Sequence, residues 1–215
     1  MKIFTKKEIL PITLIIIAFV IGLQLYPGLP DQIPTHWDAQ GEINGWGSKD
    51  FAVFFLPALA FGIYLLMTFL PLLDPFRKRY QDFKTAYFWI KTALVSFMVI
   101  LNFYTLFGTK INIIYIIIPT LSLLWIVIGY FMPKIRRNYF IGIRTAWTLH
   151  SEKTWQETHK FGGKAFIIAG IISFLGAITK EYAFTIFITA TILAAFSPVV
   201  YSYFVFKKIG GFKNE

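Results

Sequence analysis

The residues of this chain best suited to metal or proton chemistry are its three histidines, His36, His150 and His159, and no cysteine stands beside them. His36 has Asp38 and Glu42 close by, while His150 and His159 have Glu152 and Glu157. A metal centre needs three or four converging ligands. His36 and Asp38 are two residues apart and can share one face of a strand, which supplies only two firm ligands. His150 and His159 are nine apart. At 100° per residue that puts them on opposite sides of an ideal helix, so one helix cannot offer both. No H-E-x-x-H, Ser-x-x-Lys or paired carboxylates within an apolar stretch occur, and the lack of Cys removes a thiol nucleophile and a disulfide framework. The expectation is a protein that is not an enzyme and carries no metal or other cofactor. His36 then reads as a hydrogen-bonded loop residue and His159 as a packing partner of Trp155.

A second constellation is denser. Between Lys134 and Lys164 lie seven of the 21 Lys and Arg residues, two of the three His and two of the six Trp. Within it runs Asn138-x-x-x-Gly142-x-Arg144-Thr145-x-Trp147-Thr148, followed by Trp155-x-x-x-His159. Arg144 stands out, because a guanidinium among apolar neighbours wants a bidentate anion, a cluster of carbonyls or an aromatic face. Two readings stay open for it: an anchor to lipid phosphate or a tie between loops, or else a residue that binds a ligand or partner.

The elements that position these groups are membrane spans. With 56% hydrophobic, 19% aromatic and only 15% charged residues, and a mean hydropathy of +0.61, the composition lies outside that of soluble domains. A helix needs about 20 apolar residues to cross a bilayer core of roughly 30 Å. Six such runs occur, at about 9–26, 51–73, 87–107, 111–132, 161–179 and 183–206. The expected fold is therefore an all-α integral membrane protein with six transmembrane helices. The first run follows Lys2, Lys6 and Lys7 as a secretory signal would, but Gln24-Leu25-Tyr26-Pro27 offers no small-x-small cleavage site. A net charge of +10 could suggest nucleic acid, yet the basic residues are spread between apolar segments, so no direct nucleic-acid binding is expected. Sorted by the side each interval would occupy, eighteen Lys and Arg fall on one side and only Lys49, Lys110 and Lys180 on the other. The positive-inside rule then places both termini and the 134–164 interval in the cytoplasm of a multi-pass protein of the cell membrane.

Outside, turns at Gly108–Lys110 and Lys180–Tyr182 are short, which makes helical hairpins of spans three with four and five with six. The longer interval Pro27–Asp50 is expected to form a small extracellular lid, with one short hairpin as a candidate: Pro30 and Pro34 favour extended predecessors, and Asn44-Gly45 is a turn dipeptide. Its Trp37 and Trp46 suit the headgroup level, and Ser48 can cap span two, with Asp50 at the positive end of the dipole. Lys91 should snorkel from span three to the cytoplasmic interface, and Asn102 should hydrogen-bond a neighbouring helix. The ladders Ala169-Ser173-Ala177 and Ala190-Ala194 allow spans five and six to approach closely. From a Ser151 cap an amphipathic cytoplasmic helix should run to a bend at Gly162-Gly163, with Trp155, His159, Gly162 and Phe166 on one side and Lys153, Glu157, Lys160 and Lys164 on the other. Glu157 can pair with Lys153 or Lys160.

Two of these intervals carry a resemblance. Leu29-Pro30-x-x-Ile33-Pro34-x-His36, with Gly41, Gly45, Trp46, Ser48 and Lys49, resembles the small N-terminal domain of unknown function found in bacterial membrane proteins of the SdpI type. The motif from Asn138 to Thr148, with Trp155, His159 and Gly162, resembles the signature of the SdpI family itself. Together they cover essentially the whole chain, divided as 1–86 for the first hairpin and lid and 87–215 for the four-helix remainder. The resemblance implies an immunity protein that guards a cell against a secreted antimicrobial peptide, the sporulation-delaying toxin. It also implies signalling by retention of a small transcriptional repressor at the membrane. Partners would thus be membrane lipids, a peptide toxin outside and a repressor inside. The surface expected to matter inside is Asn138, Gly142, Arg144, Thr145, Trp147, Trp155 and His159, and in the lid Pro30, Pro34, His36, Gly41, Gly45, Trp46 and Lys49. A small transporter or export factor is the alternative, though internal repeats and mid-span charges are missing. A metal-dependent intramembrane enzyme is a third.

Overall fold

The computed structural model describes residues 5–107 and 111–211. Among them, six helices are long and apolar enough to cross a membrane, within Lys6–Gly28, Phe51–Leu73, Lys84–Phe107, Ile114–Lys134, Glu152–Thr179 and Ala183–Lys208. Their cores are α1 (Ile9–Leu25), α2 (Leu56–Leu73), α3 (Lys84–Phe107), α4 (Ile114–Phe131), α6 (Glu152–Gly176) and α7 (Ala183–Lys208), with a short α5 (Ala146–His150) between α4 and α6. The lid contributes β1 (Gln32–Trp37) and β2 (Ile43–Ser48). The turn expected at Gly108–Lys110, and Lys2 and Lys213 of the charge count, lie outside the described residues. The other short turn is a 3-10 segment, Ala177–Tyr182.

Lipid tails are as apolar as leucine, so helices in a bilayer are held by close packing and polar ties. Two sets of three helices use this differently. In the first, Ile15 and Ala18 of α1, Leu56, Ala60 and Tyr64 of α2 and Val95 and Val99 of α3 form one core. In the second, α4 and α6 touch backbone to backbone: a Cβ added to Gly163 would lie 2.7 Å from the Gly129 carbonyl oxygen, and one added to Gly170 would lie 2.6 Å from that of Ser122. The expected alanine contact between α6 and α7 forms as well, through Ala169, Ala190 and Ala194. Asn102 of α3 donates from Nδ2 to the Ala52 carbonyl at 2.5 Å, the expected interhelical bond.

The lid is an antiparallel hairpin in which Gln32 pairs with Ser48, Pro34 with Trp46 and Trp37 with Ile43, and the pairing is irregular around His36. One face rests on the bundle, where Ile33 packs with Ala52, Val53 and Leu106. Its tip is clasped from the segment just before α4: Asn112 Nδ2 donates to the Gln40 carbonyl at 2.7 Å. Gly41 beside it has φ +79°, a left-handed conformation, and a Cβ there would collide with the Asn112 side chain.

Two local expectations are corrected, those for Ser48 and Lys91. Ser48 does not cap span two; it stays in the sheet opposite Gln32, and the helical backbone that follows it at Lys49 and Asp50 runs into a π-helical turn, Phe51–Phe55. Asp50 stands at the cap position, at the positive end of the helix as expected, and its carboxylate accepts the Tyr26 hydroxyl at 2.9 Å. Trp37 packs edge-on against Tyr104 of α3 with ring centroids 5.5 Å apart, while Trp46 is exposed. Lys91 does not snorkel: it is 3% exposed, and its Nζ donates to Glu8 Oε2 at 2.7 Å and to Thr68 Oγ1 at 3.2 Å. A cation with an anion and a hydroxyl within reach has no need to reach water.

The amphipathic helix is also not a separate surface element. It is the first turns of α6, which runs unbroken through Gly162 and Gly163. These glycines are contact points instead, Gly163 against Gly129 and Gly162 against Ile143 and Met132. The expected sidedness holds: Trp155, His159 and Gly162 are buried and Lys153, Lys160 and Lys164 exposed, but the buried side faces protein. Glu157 pairs with Lys160 at 2.8 Å.

Candidate functional site: a polar knot at the basic end

The connection between α4 and α6 folds against the connection between α2 and α3. A 3-10 turn, Met132–Lys134, follows α4, and the chain leaves it extended at Ile135 on the way to Asn138. Asn138 is fully buried and organises the turn after it. Its Oδ1 accepts from the Phe140 and Ile141 N–H groups at 2.9 and 2.8 Å, and its Nδ2 donates to the carbonyls of Arg136 and Ile141 at 2.9 and 3.1 Å. One side chain thereby replaces the pairing that a helix or sheet would give these backbone groups.

Asp74, at the end of α2 and 2% exposed, reaches the same place. It accepts the Tyr80 hydroxyl at 2.9 Å and the Tyr139 N–H at 3.0 Å through Oδ2, and the Phe76 N–H at 2.7 Å through Oδ1. Tyr80 sits 3.3 Å from Asn138 Oδ1 as well. Burial, and then the bond to Asp74, push the Tyr80 phenol well above its ordinary range, so it stays a donor. Phe76 stacks on Tyr139 with centroids 5.2 Å apart. Around this core Glu152 accepts Arg79 Nη1 at 2.6 Å and lies 3.4 Å from Arg137 Nε, while Arg137 Nη1 donates to the last carbonyls of α5, Leu149 and His150, at 2.9 and 3.0 Å. Cations at a helix C-terminus are favourably placed.

Trp155 and His159 form the inner wall. Both are fully buried, stacked at 4.1 Å between centroids and 18° between planes. Trp155 Nε1 donates to the Ile135 carbonyl at 2.8 Å. His159 has a determined protonation. Its Nε2 accepts the Ile143 N–H at 3.0 Å, so it carries no proton; its Nδ1 faces the Trp155 carbonyl at 2.8 Å, so it must carry one. Both nitrogens of a neutral ring are thus occupied by backbone. Gly142, φ +104°, lies against the ring, and a Cβ there would collide with Nε2.

Thr145 and Thr148 close α5 in a reciprocal capping box: Thr145 Oγ1 accepts the Thr148 N–H at 3.1 Å and Thr148 Oγ1 accepts the Thr145 N–H at 2.9 Å. Thr145 Oγ1 also lies 3.1 Å from Ser202 Oγ, which fastens α5 to α7. Trp147 packs edge-on to Tyr203. Arg144 is exposed and its Nη1 donates to the Tyr139 carbonyl at 2.6 Å.

So Asn138, Gly142, Thr145, Trp155 and His159 come together as one knot, with Trp147 and Arg144 at its rim. Asp74, Phe76, Arg79 and Tyr80, on the other connection, complete it and were missed. Their signal was available: an acid directly after an apolar span is costly unless partnered. The lid candidates are held apart from this end. His36 Nδ1 lies 2.5 Å from Asn44 Oδ1, and Asp38 Oδ1 accepts the Gln40 and Glu42 N–H groups, both at 2.9 Å, which ties Asp38 into its own turn. Lys49 pairs with Asp31 at 3.1 Å, Pro34 is buried, Pro30 and Glu42 are exposed, and Gly45 faces His36. His150 is exposed, edge-on to Phe206. Among the described residues no group of three or more His, Asp or Glu could hold a metal ion.

Residues 134–202, ending within α7, match the family model described as the SdpI/YfhL protein family, and residues 13–61 match a domain of unknown function, DUF1648. Over 210 residues the chain is 30% identical to the immunity protein SdpI of Bacillus subtilis (strain 168), covering 96% of this chain and 99% of the relative. The chain belongs to the SdpI family. The family match takes in the α4–α6 side of the knot, from Asn138 to His159, and leaves out Asp74, Phe76, Arg79 and Tyr80. It is a multi-pass membrane protein of that family, as the resemblance of its two motifs led one to expect. No solved structure matches it.

Proposed function

We propose that this SdpI-family protein is an immunity protein, which protects its cell from a secreted antimicrobial peptide toxin. The observation that carries the reading is the 30% identity, end to end on both chains, to a relative named for immunity. The eighteen-to-three division of Lys and Arg supports an orientation with the knot and both termini in the cytoplasm and the lid outside. In that orientation the lid and the outer ends of the spans meet the toxin. The exposed cations Arg136, Arg144, Lys153, Lys160 and Lys164 offer an inner face for a small repressor. The buried part of the knot fixes the shape of that face, and Arg144 is an exposed charged residue of the motif.

Expression in a cell sensitive to the sporulation-delaying peptide tests this. The chain should raise survival, and killing that is unchanged at verified membrane levels refutes immunity to that toxin. Arg144→Ala, compared with His36→Ala at matched expression, should release a membrane-retained repressor without lowering the amount of protein in the membrane. A loss confined to protein level would make Arg144 structural only.

A further inference from the structure

The knot leaves one large feature unused. Between the start of α1, the end of α2 and the start of α3 lies a cavity of about 1060 Å³. Lys6, Lys7, Arg77, Lys78 and Lys84 line it, and all five are exposed. Glu8 is the one carboxylate in its lining, and it is taken by Lys91 at 2.7 Å. Five cations therefore face a single space with no anion left for them among its lining residues. The floor is apolar, with Pro71, Leu72 and Phe88. A second hollow shares Lys6, Lys7 and Phe88 with the first and continues along the outside of the bundle between α1 and α3, past Ile9, Leu10, Thr13 and Trp89. Ile9 is 66% and Trp89 43% exposed there.

A cationic cup at the end of three spans, opening into an apolar groove on the bundle's outer face, matches an anionic headgroup with an acyl chain attached. We infer that this cavity binds an anionic phospholipid, its phosphate among Lys6, Lys7, Arg77, Lys78 and Lys84 and one chain along the α1–α3 groove. Basic pockets between spans are where acidic headgroups are recognised, and each nearby Lys or Arg adds to the attraction for an anionic surface. The positive-inside rule accounts for basic residues at this end. It does not account for their convergence on one cavity, or for its continuation past Lys6 and Lys7 into a groove lined by Ile9, Leu10, Thr13, Phe88 and Trp89. A free phosphate ester would use only the cup; the groove selects the lipid.

The test uses the full chain purified in mild detergent, with bound lipid counted by native mass spectrometry. Phosphatidylglycerol should be retained at concentrations at least tenfold lower than phosphatidylcholine. The triple change Arg77→Gln, Lys78→Gln, Lys84→Gln should abolish that preference, while Lys153→Gln, Lys160→Gln, Lys164→Gln, which removes equal charge elsewhere, should keep it. Equal loss in both triples would reduce the effect to general charge attraction and overturn the site. Glycerol phosphate that displaces the lipid at equal concentration would overturn the lipid as occupant. A fluorescence arm on the unmutated cavity stands even if the triple misfolds: phosphatidylglycerol with a brominated chain should quench more than its phosphatidylcholine counterpart, and the difference should vanish in Trp89→Phe. Persistence of the difference in that variant refutes the groove.

Discussion

Lys91 and Glu8 give the sharpest energetic test, because the double substitution there should cost far less than either single one. The pair is nearly out of solvent, with side chains 3% and 10% exposed, and Lys91 also lies 4.9 Å from the centre of the Tyr64 ring. Glu8→Gln leaves a buried ammonium with a hydroxyl and an aromatic face but no anion, and Lys91→Met leaves a buried carboxylate. Removing one partner of such a pair costs about 3–5 kcal/mol. The cavity beside this pair admits water, so we expect the lower end, about 3 kcal/mol for each single change. Glu8→Gln with Lys91→Met removes both charges and keeps similar volume, and should cost about 1 kcal/mol or less. The cycle would therefore show a coupling of about 5 kcal/mol, far above that of an exposed pair. Reversible unfolding of the purified protein in mixed micelles, at matched detergent composition, measures it. Additive single effects, or a Lys91→Met cost under about 1 kcal/mol, would show that Lys91 reaches water after all and that the buried pair does not form.

Two further substitutions probe the rest of the scaffold. Asn138→Ala removes two donated and two accepted backbone bonds at a fully buried site, and the same unfolding assay should show a loss of about 3 kcal/mol, with Asn138→Asp no better because its second oxygen would face two carbonyls. Gly163→Val puts side-chain atoms where the Gly129 carbonyl sits and should separate α4 from α6, read as poor recovery of folded protein, whereas Gly62→Ala, which meets nothing within 4 Å, should leave recovery unchanged.

The spans were legible because twenty apolar residues in a row have few other fates, and the lid because Pro30, Pro34 and Asn44-Gly45 punctuate it. The sidedness of α6 was equally visible in the spacing of Trp155, His159 and Gly162. What faced that side was not, since a hydrophobic stripe does not say whether lipid or protein will cover it. Gly162-Gly163 read as a bend for the same reason: glycine permits both a flexible joint and a close approach, and only the partner on α4 decides. Lys91 and Asp74 were misread or passed over because their partners, Glu8 and Tyr139, are distant in sequence. Long-range pairing of single charges leaves no periodic trace.

The absence of a bend has a mechanical side. Glu152–Gly176 is one rod, 25 residues long, gripped by Arg79 and Arg137 at one end and lying against α4 and α7 further along. At about 1.5 Å per residue it measures about 37 Å, so a tilt of about 5° at its arginine-held end displaces the far end by about 3 Å. A hinge at Gly162-Gly163 would have absorbed such a tilt locally. A stiff lever instead delivers any push on the Glu152 grip to the opposite side of the membrane, and works equally well in reverse.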